Sequence, residues 1–255
     1  MRYENAVKQT LRKGGTAFGC FVTMPSPEIV EICAAAGFAF VLLDAEHGRV
    51  SPEAAYSMIL AAEASGIEAF ARIGQNDRQV ILKFLDQGIA GVLIPQTNTA
   101  EEATRAVEAM RYHPLGVRGL AGGRGFGYGV AGDAKDLVPI INDRVLSMVQ
   151  FEHITALDHL DDLLAIPNLD LLFVGPNDLA QSMGFPGQPG HPEVQAVIDR
   201  VTSAARGGAV ALGTVAPDAA STRKAQERGF RLIVSNVPSL LIAAGRDLLS
   251  AATAS

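Results

Sequence analysis

The chain has 255 residues, 48% of them hydrophobic, and a formal net charge of -6. That length permits one large domain or two small ones and sits at the size of an α/β barrel. Mild acidity with scattered basic residues argues against nucleic acid or an anionic membrane surface as a partner. No apolar run approaches the roughly 20 residues that span a bilayer.

Two cysteines, Cys20 and Cys33, are too few for a disulfide framework or a thiolate zinc site. Free thiols and an N-terminus without an apolar signal core lead us to expect a cytoplasmic protein.

Taken in chain order, apolar strand-length runs alternate with alanine-rich helical segments. The first strand is expected at 17–22, followed by a helix bracketed by Pro27 and Gly37. A second strand at 38–43 leads into Asp44-Ala-Glu-His-Gly48. Ser51-Pro52-Glu53 then opens a helix with a cap and a first-turn proline, and Gly66 closes it. Strand 68–72 ends on the charge of Arg72, and strand 91–95 runs into Gln96. A long irregular stretch at 112–132, rich in glycine, precedes a short helix near 134–141; loops of this length in a compact barrel are usually functional or mobile. Strand 145–151 carries Gln150 and is followed by Glu152. Strand 171–174 is followed by Gly175-Pro176-Asn177-Asp178. Strands at 209–214 and 231–235 flank a helix opened by Pro217-Asp218 and ended by Gly229. The tail at 239–252 is rich in alanine and leucine.

Most of these runs are continuously apolar, as parallel strands buried on both faces must be. Eight strand–helix units favour a closed (β/α)8 TIM barrel over an open doubly wound sheet, as a single domain over residues 1–255. In such a barrel the site lies at the C-terminal strand ends. The polar residues collect there, mainly after the second to sixth strands.

Two acids stand out on that rim. Glu152 and Asp178 each follow an apolar run and offer hard oxygen ligands that suit Mg²⁺ or Mn²⁺. Asp178 would equally serve as a helix cap, and Glu152 as half of a surface salt bridge. Asp44 and His47 have the spacing of an orienting acid and a base; Glu46 is an alternative reagent. Arg72 is suited to a carboxylate or an enolate oxygen, or to a structural ion pair. The helix after Gly175 offers free N–H groups to an anion. His153, one residue past Glu152, should point away if its strand persists. Gly127-Tyr-Gly-Val-Ala-Gly132 matches a dinucleotide fingerprint in spelling but does not follow a strand. The lysines, Lys8, Lys13, Lys83, Lys135 and Lys224, fall outside every expected strand. A Schiff-base aldolase needs a lysine inside its barrel, so that route is closed.

These residues resemble the HpcH/HpaI aldolases, metal-dependent pyruvate aldolases on a pyruvate-type barrel. The resemblance is carried by Leu43-Asp-Ala-Glu-His-Gly48, Arg72, Leu85-Asp86, Ile94-Pro95, Arg111-Tyr-His-Pro-Leu-Gly-Val-Arg-Gly119, Gln150-Phe-Glu152, Phe173-Val-Gly-Pro-Asn-Asp-Leu179 and Gly213-Thr-Val-Ala-Pro-Asp218. It implies that Glu152 and Asp178 bind Mg²⁺, Mn²⁺ or Co²⁺. It implies that His47, held by Asp44, acts as base through a water on that metal. Arg72 and Gln150 would hold the keto or enolate oxygen, and the backbone of Gly175, Pro176, Asn177 and Asp178 would receive the pyruvate carboxylate. Asp86 is similar to a residue that enters a neighbouring subunit's site. A homohexamer, a trimer of dimers with exchanged C-terminal helices, is the implied assembly. The implied reaction is reversible cleavage of a 4-hydroxy-2-oxoacid to pyruvate and an aldehyde. The chain departs from the family pattern at Ser235-Asn-Val-Pro238, at Arg72-Ile-Gly74 and in the glycine-rich loop, so the aldehyde stays open. A citramalyl-CoA-type acyl-CoA lyase would need a basic CoA-binding surface, which the sequence lacks. A non-catalytic metabolite-binding barrel is the remaining alternative.

Overall fold

The computed structural model describes residues 3–253. Eight parallel strands close into a barrel in sequence order. They are β1 (Ala17–Val22), β2 (Phe40–Asp44), β3 (Glu68–Arg72), β4 (Gly91–Ile94), β5 (Leu146–Phe151), β6 (Leu171–Val174), β7 (Ala211–Val215) and β8 (Leu232–Asn236). β8 pairs with β1, and that pairing removes both sheet edges. The expected strands are all present, shifted by at most two residues. Asp44 belongs to β2 as its last residue rather than to the following loop.

The helix signals also hold. Ser51 caps the helix Pro52–Ser65, and Gly66 ends it at φ 85°. Only a residue tolerant of the left-handed region can close a helix this way. Asp218 caps Ala219–Glu227 through the Ser221 amide.

Strand period two sorts side chains between two cores. Val41, Leu43, Ala69, Ala71, Val149 and Phe151 face the helices. Phe40, Leu42, Phe70, Met148 and Phe173 fill the barrel. Gly19 and Gly213 make room for this filling. A Cβ at Gly19 would overlap the Phe40 ring, and one at Gly213 would lie 2.8 Å from Phe173 Cδ2. Large rings opposite absent side chains bring the interior to close packing.

The N-terminal end of the barrel is closed by helix Ala6–Arg12. Asn5 caps it and also donates Nδ2 to the carbonyls of Ala90 (3.2 Å) and Arg144 (2.9 Å). Lys8 Nζ reaches Val145 O at 2.7 Å and Asp170 Oδ2 at 2.9 Å. Burial offsets these partners and pushes the Lys8 ammonium down to about 8. Arg111 meets the same Asp170 oxygen at 2.9 Å. This motif arginine is therefore an architectural residue at the closed end.

The irregular 112–132 stretch is anchored at a few points while much of it is exposed. It contains a 3₁₀ segment, Arg124–Gly129, and Tyr112 and Phe126 form a small cluster with Leu137 and Ile141. Arg124 grips Glu63 at 2.9 and 2.6 Å, while Arg118 pairs with Asp86 at 2.8 Å and lies over the Tyr112 ring. Helix Val237–Thr253 contrasts with the rest, for none of its residues is buried. No helix among the described residues is long and apolar enough to cross a membrane.

Candidate active site

The inner-facing positions of the strands run Phe40–Leu42–Asp44, Phe70–Arg72 and Met148–Gln150, then Glu152 just past β5. Apolar residues fill the barrel up to its C-terminal rim, where the same alternation delivers charge. The β2–β3 register sets Asp44 directly beside Arg72. Arg72 grips Asp44 with Nε to Oδ1 at 3.1 Å and NH2 to Oδ2 at 2.7 Å, both residues being buried. Its guanidinium lies over the Phe21 ring, 4.5 Å from the centroid. Among the described residues no hydrogen bond engages its NH1.

Asp44 differs from expectation in what it holds. Its Oδ1 also accepts the backbone N–H groups of Glu46 and His47, both at 3.2 Å. It thus shapes the loop carrying His47 but does not touch the imidazole. With Oδ1 and Oδ2 both committed to Arg72, the carboxylate has little left for a ring nitrogen. The imidazole instead has Glu46 beside it, with Nε2 3.8 Å from Glu46 Oε2.

Glu152 is buried. Its Oε1 accepts the Gln96 N–H at 2.6 Å, and its Oε2 accepts Gln150 Nε2. Gln96 can aim that amide because its backbone sits at φ 51°, a strained setting for a non-glycine residue. Nothing in the sequence signals this donor beyond its place after β4. Asp178 lies in the first turn of helix Pro176–Ser182, which has no side-chain cap. It is therefore not the N-cap; Gly175 occupies that place. Proline supplies no N–H at the first position, so the amides of Asn177 and Asp178 are the ones left for an anion.

Glu46, His47, Gln96, Asn98, Glu152, His153, Asp178, Gln181 and Ser182 surround a rim cavity of about 360 Å³. His153 borders it because β5 stops at Phe151, which ends the alternation that would have turned it away. Its Nδ1 instead caps the next turn at Thr155 N, 3.3 Å away. Asp86 is not brought to this rim. It ends helix Arg78–Asp86, at the opposite end of its own barrel. A larger hollow of about 510 Å³ also lies at that closed end, beside Arg206 and Arg231, but no group of acids converges there.

The rim acids repel one another. Burial, with the charges of Asp178 and Glu46 adding to it, pushes the Glu152 carboxyl up to about 7, against the pull of the Gln96 amide. Burial likewise raises Glu46, opposed by Arg72. Among the described residues no three His, Cys, Asp or Glu side chains form a ready-made metal cluster. The site still fits a divalent cation, since two carboxylates face one cavity and a third is near. Gly175 keeps the space clear, for a Cβ there would meet Gln150 Nε2 at 2.9 Å and Glu152 Oε2 at 3.4 Å. Gln150 Oε1 is buried with no hydrogen-bond partner. Such a set is costly when empty and ionised, and stable around positive charge.

A pH dependence follows. A carboxyl raised from 4.5 to about 7 holds its proton longer folded than unfolded. Its contribution to stability is present below about pH 4.5 and is lost as pH rises through about 7. With EDTA present, Glu152→Gln should flatten this part of the melting-temperature profile. Cation affinity should run the other way, weakening about tenfold per unit below pH 7 as protons compete for Glu152. Titration calorimetry with Mn²⁺ at pH 6 and 8 would show it, and equal affinities would refute it.

Barrel and rim, taken with the comparisons, define a class: a carbon–carbon lyase on a closed parallel barrel. The chain belongs to the HpcH/HpaI aldolase/citrate lyase family, whose model matches residues 17–238. It is 34% identical over 240 residues to the hydroxypyruvate/pyruvate aldolase of Sagittula stellata, covering 94% of each chain. It is 32% identical over 248 residues to the 2-keto-3-deoxy-L-rhamnonate aldolase of Klebsiella pneumoniae, covering 95% of this chain and 91% of the other. The crystal structure of an HpcH/HpaI aldolase/citrate lyase family protein from Burkholderia cenocepacia superposes with a TM-score of 0.91 at 31% identity, covering 97% of this chain and 99% of that one.

Proposed function

We propose that the chain is a class II pyruvate aldolase that reversibly cleaves a 4-hydroxy-2-oxoacid to pyruvate and an aldehyde. The observation that carries this reading is one cavity lined by the buried Glu152 and the exposed Asp178, on a rim that also holds Arg72. The aldolase names of the relatives support it, and they favour it over a CoA-ester lyase or a binding-only barrel. No lysine lies in any strand of the barrel, which leaves no Schiff-base route.

Glu152 and Asp178 would hold Mg²⁺, Mn²⁺ or Co²⁺. When bound, the cation supplies Lewis-acid polarisation of the keto oxygen and lowers the cost of removing a methyl proton. Arg72 NH1 points its charge at the oxygen on which negative charge develops. Its own orientation is fixed by Asp44 on one side and Phe21 beneath. The Asn177 and Asp178 amides hold the pyruvate carboxylate, and Gln150 assists at the keto oxygen. His47 carries the proton between the methyl carbon and the aldol oxygen. Its ring is largely exposed at the cavity mouth, within reach of a substrate bound there.

The proposal extends to assembly and setting. Helix Val237–Thr253 exposes Leu241, Ile242, Leu248 and Leu249, a stripe suited to burial against a neighbouring copy in a trimer of dimers. Asp86 would serve a neighbour's site from there. Two free buried cysteines suit a reducing cytoplasm. The aldehyde is chosen among partners such as succinic semialdehyde, tartronic semialdehyde and lactaldehyde. Pyruvate release from a panel of 4-hydroxy-2-oxoacids tests the reading. It should vanish with EDTA and return with Mg²⁺, Mn²⁺ or Co²⁺, whereas release indifferent to EDTA would overturn it.

A further inference from the structure

Glu46 is the acid that the rim leaves unexplained. Its side chain is only 10% exposed, yet Oε2 makes no hydrogen bond. Arg72 Nε is 3.2 Å from that oxygen, but the N–H points at Asp44 Oδ1 instead. The same oxygen is the one 3.8 Å from His47 Nε2. The groups facing Glu46 are therefore Arg72 from β3, Asp44 and His47 from the end of β2, Glu152 after β5, and Asp178 from helix Pro176–Ser182. Arg72 spends Nε and NH2 on Asp44 and keeps NH1 for substrate, which leaves the exposed His47 ring as the donor for Oε2. A small turn of an exposed imidazole closes the remaining gap.

We propose that Glu46, not Asp44, is the carboxylate that positions His47. This rests on the aldolase reading and deepens it. Glu46 Oε2 accepts the Nε2–H, which fixes the tautomer with a lone pair on Nδ1. In the forward half-reaction the methyl C–H bond of pyruvate breaks. Its electron pair becomes the carbon–carbon π bond of the enolate, and the former carbonyl π pair moves onto oxygen. The proton passes to His47 Nδ1, giving an imidazolium whose Nε2–H stays on Glu46. When the enolate carbon bonds to the aldehyde, the new alkoxide takes that proton back and the histidine is neutral again. Asp44 is left with a separate task, that of holding Arg72.

Glu46→Ala and Glu46→Gln, compared with Asp44→Asn and His47→Ala, separate these roles. The readouts are exchange of the pyruvate methyl protons with D₂O in Mn²⁺- or Mg²⁺-loaded protein, and the ¹⁵N shifts of the His47 ring in the Mg²⁺-loaded form. Glu46→Ala should lower the maximal exchange rate about 100-fold with the KM for pyruvate within about threefold, a loss typical of impaired acid–base catalysis. Glu46→Gln, which keeps shape and one acceptor, should lose about tenfold and covers the case in which the alanine variant misfolds. Asp44→Asn should raise KM through Arg72. The His47 ring should show the Nε2–H tautomer in wild type and a mixture in Glu46→Ala. If His47→Ala abolishes exchange while both Glu46 variants stay within threefold of wild type, the positioning role is wrong and the aldolase reading stands. If wild type exchanges no protons, the aldolase reading itself fails.

Discussion

Glu152→Ala and Asp178→Ala proteins should each lose pyruvate release by at least about a thousand-fold, roughly 4 kcal/mol of transition-state stabilisation. Glu152 is held ready by the Gln96 amide and by Gln150, and it shares its cavity with Asp178. Among the described residues, neither acid has an arginine or lysine within ion-pair distance. Removing one halves the negative charge available to a cation, and water cannot restore a fixed ligand. The fold should survive, because truncating Glu152 relieves repulsion in cation-free protein. Its melting temperature in EDTA should be equal to or above that of wild type. A Glu152→Ala protein with undiminished turnover would sink the assignment.

Arg72→Met should fail differently, in stability as well as in rate. Asp44 would keep its two amide donors but lose the guanidinium that neutralises it at 2% exposure. Stranding a buried charge in this way costs about 3–5 kcal/mol. Urea unfolding should show that loss, and adding Asp44→Leu should recover a large part of it. Activity should fall about 100- to 1,000-fold, the scale of a lost oxyanion donor, and the double variant should recover none of it. A single variant as stable as wild type would mean that the pair is relaxed by water.

The contrast between these variants reflects what could be read from the sequence. Strand runs, caps and the rim location follow from period and punctuation, because β-strand alternation and helix-ending glycines are local physics. Thus Asp44, Arg72, Gln150 and Glu152 could be placed on one rim before any coordinates. Their partners could not. Whether Asp44 turns to Arg72 or to His47 depends on the β2–β3 register, which pairs residues 28 positions apart. The Gln96 amide depends on a positive φ that no motif encodes. The end of β5 at Phe151 decides that His153 borders the cavity, since the alternation that would have turned it away stops there. Glu46 read as an alternative reagent with no partner assigned, since burial of a loop acid is set by tertiary contacts. Arg111 and Arg118 stood in the sequence only as part of the family resemblance, and their contacts show Arg111 at the closed end on Asp170 and Arg118 on Asp86.

The reading stands or falls on whether this rim, with a divalent cation, removes a proton from pyruvate. The most direct measurement is the ¹H NMR signal of the pyruvate methyl group in D₂O, followed with EDTA-treated protein before and after adding Mg²⁺ or Mn²⁺. The signal should hold steady in EDTA, fade when the cation is added, and hold steady in Glu152→Ala protein under every condition. Exchange that proceeds in EDTA, or a methyl signal that persists in cation-loaded wild type, would contradict it.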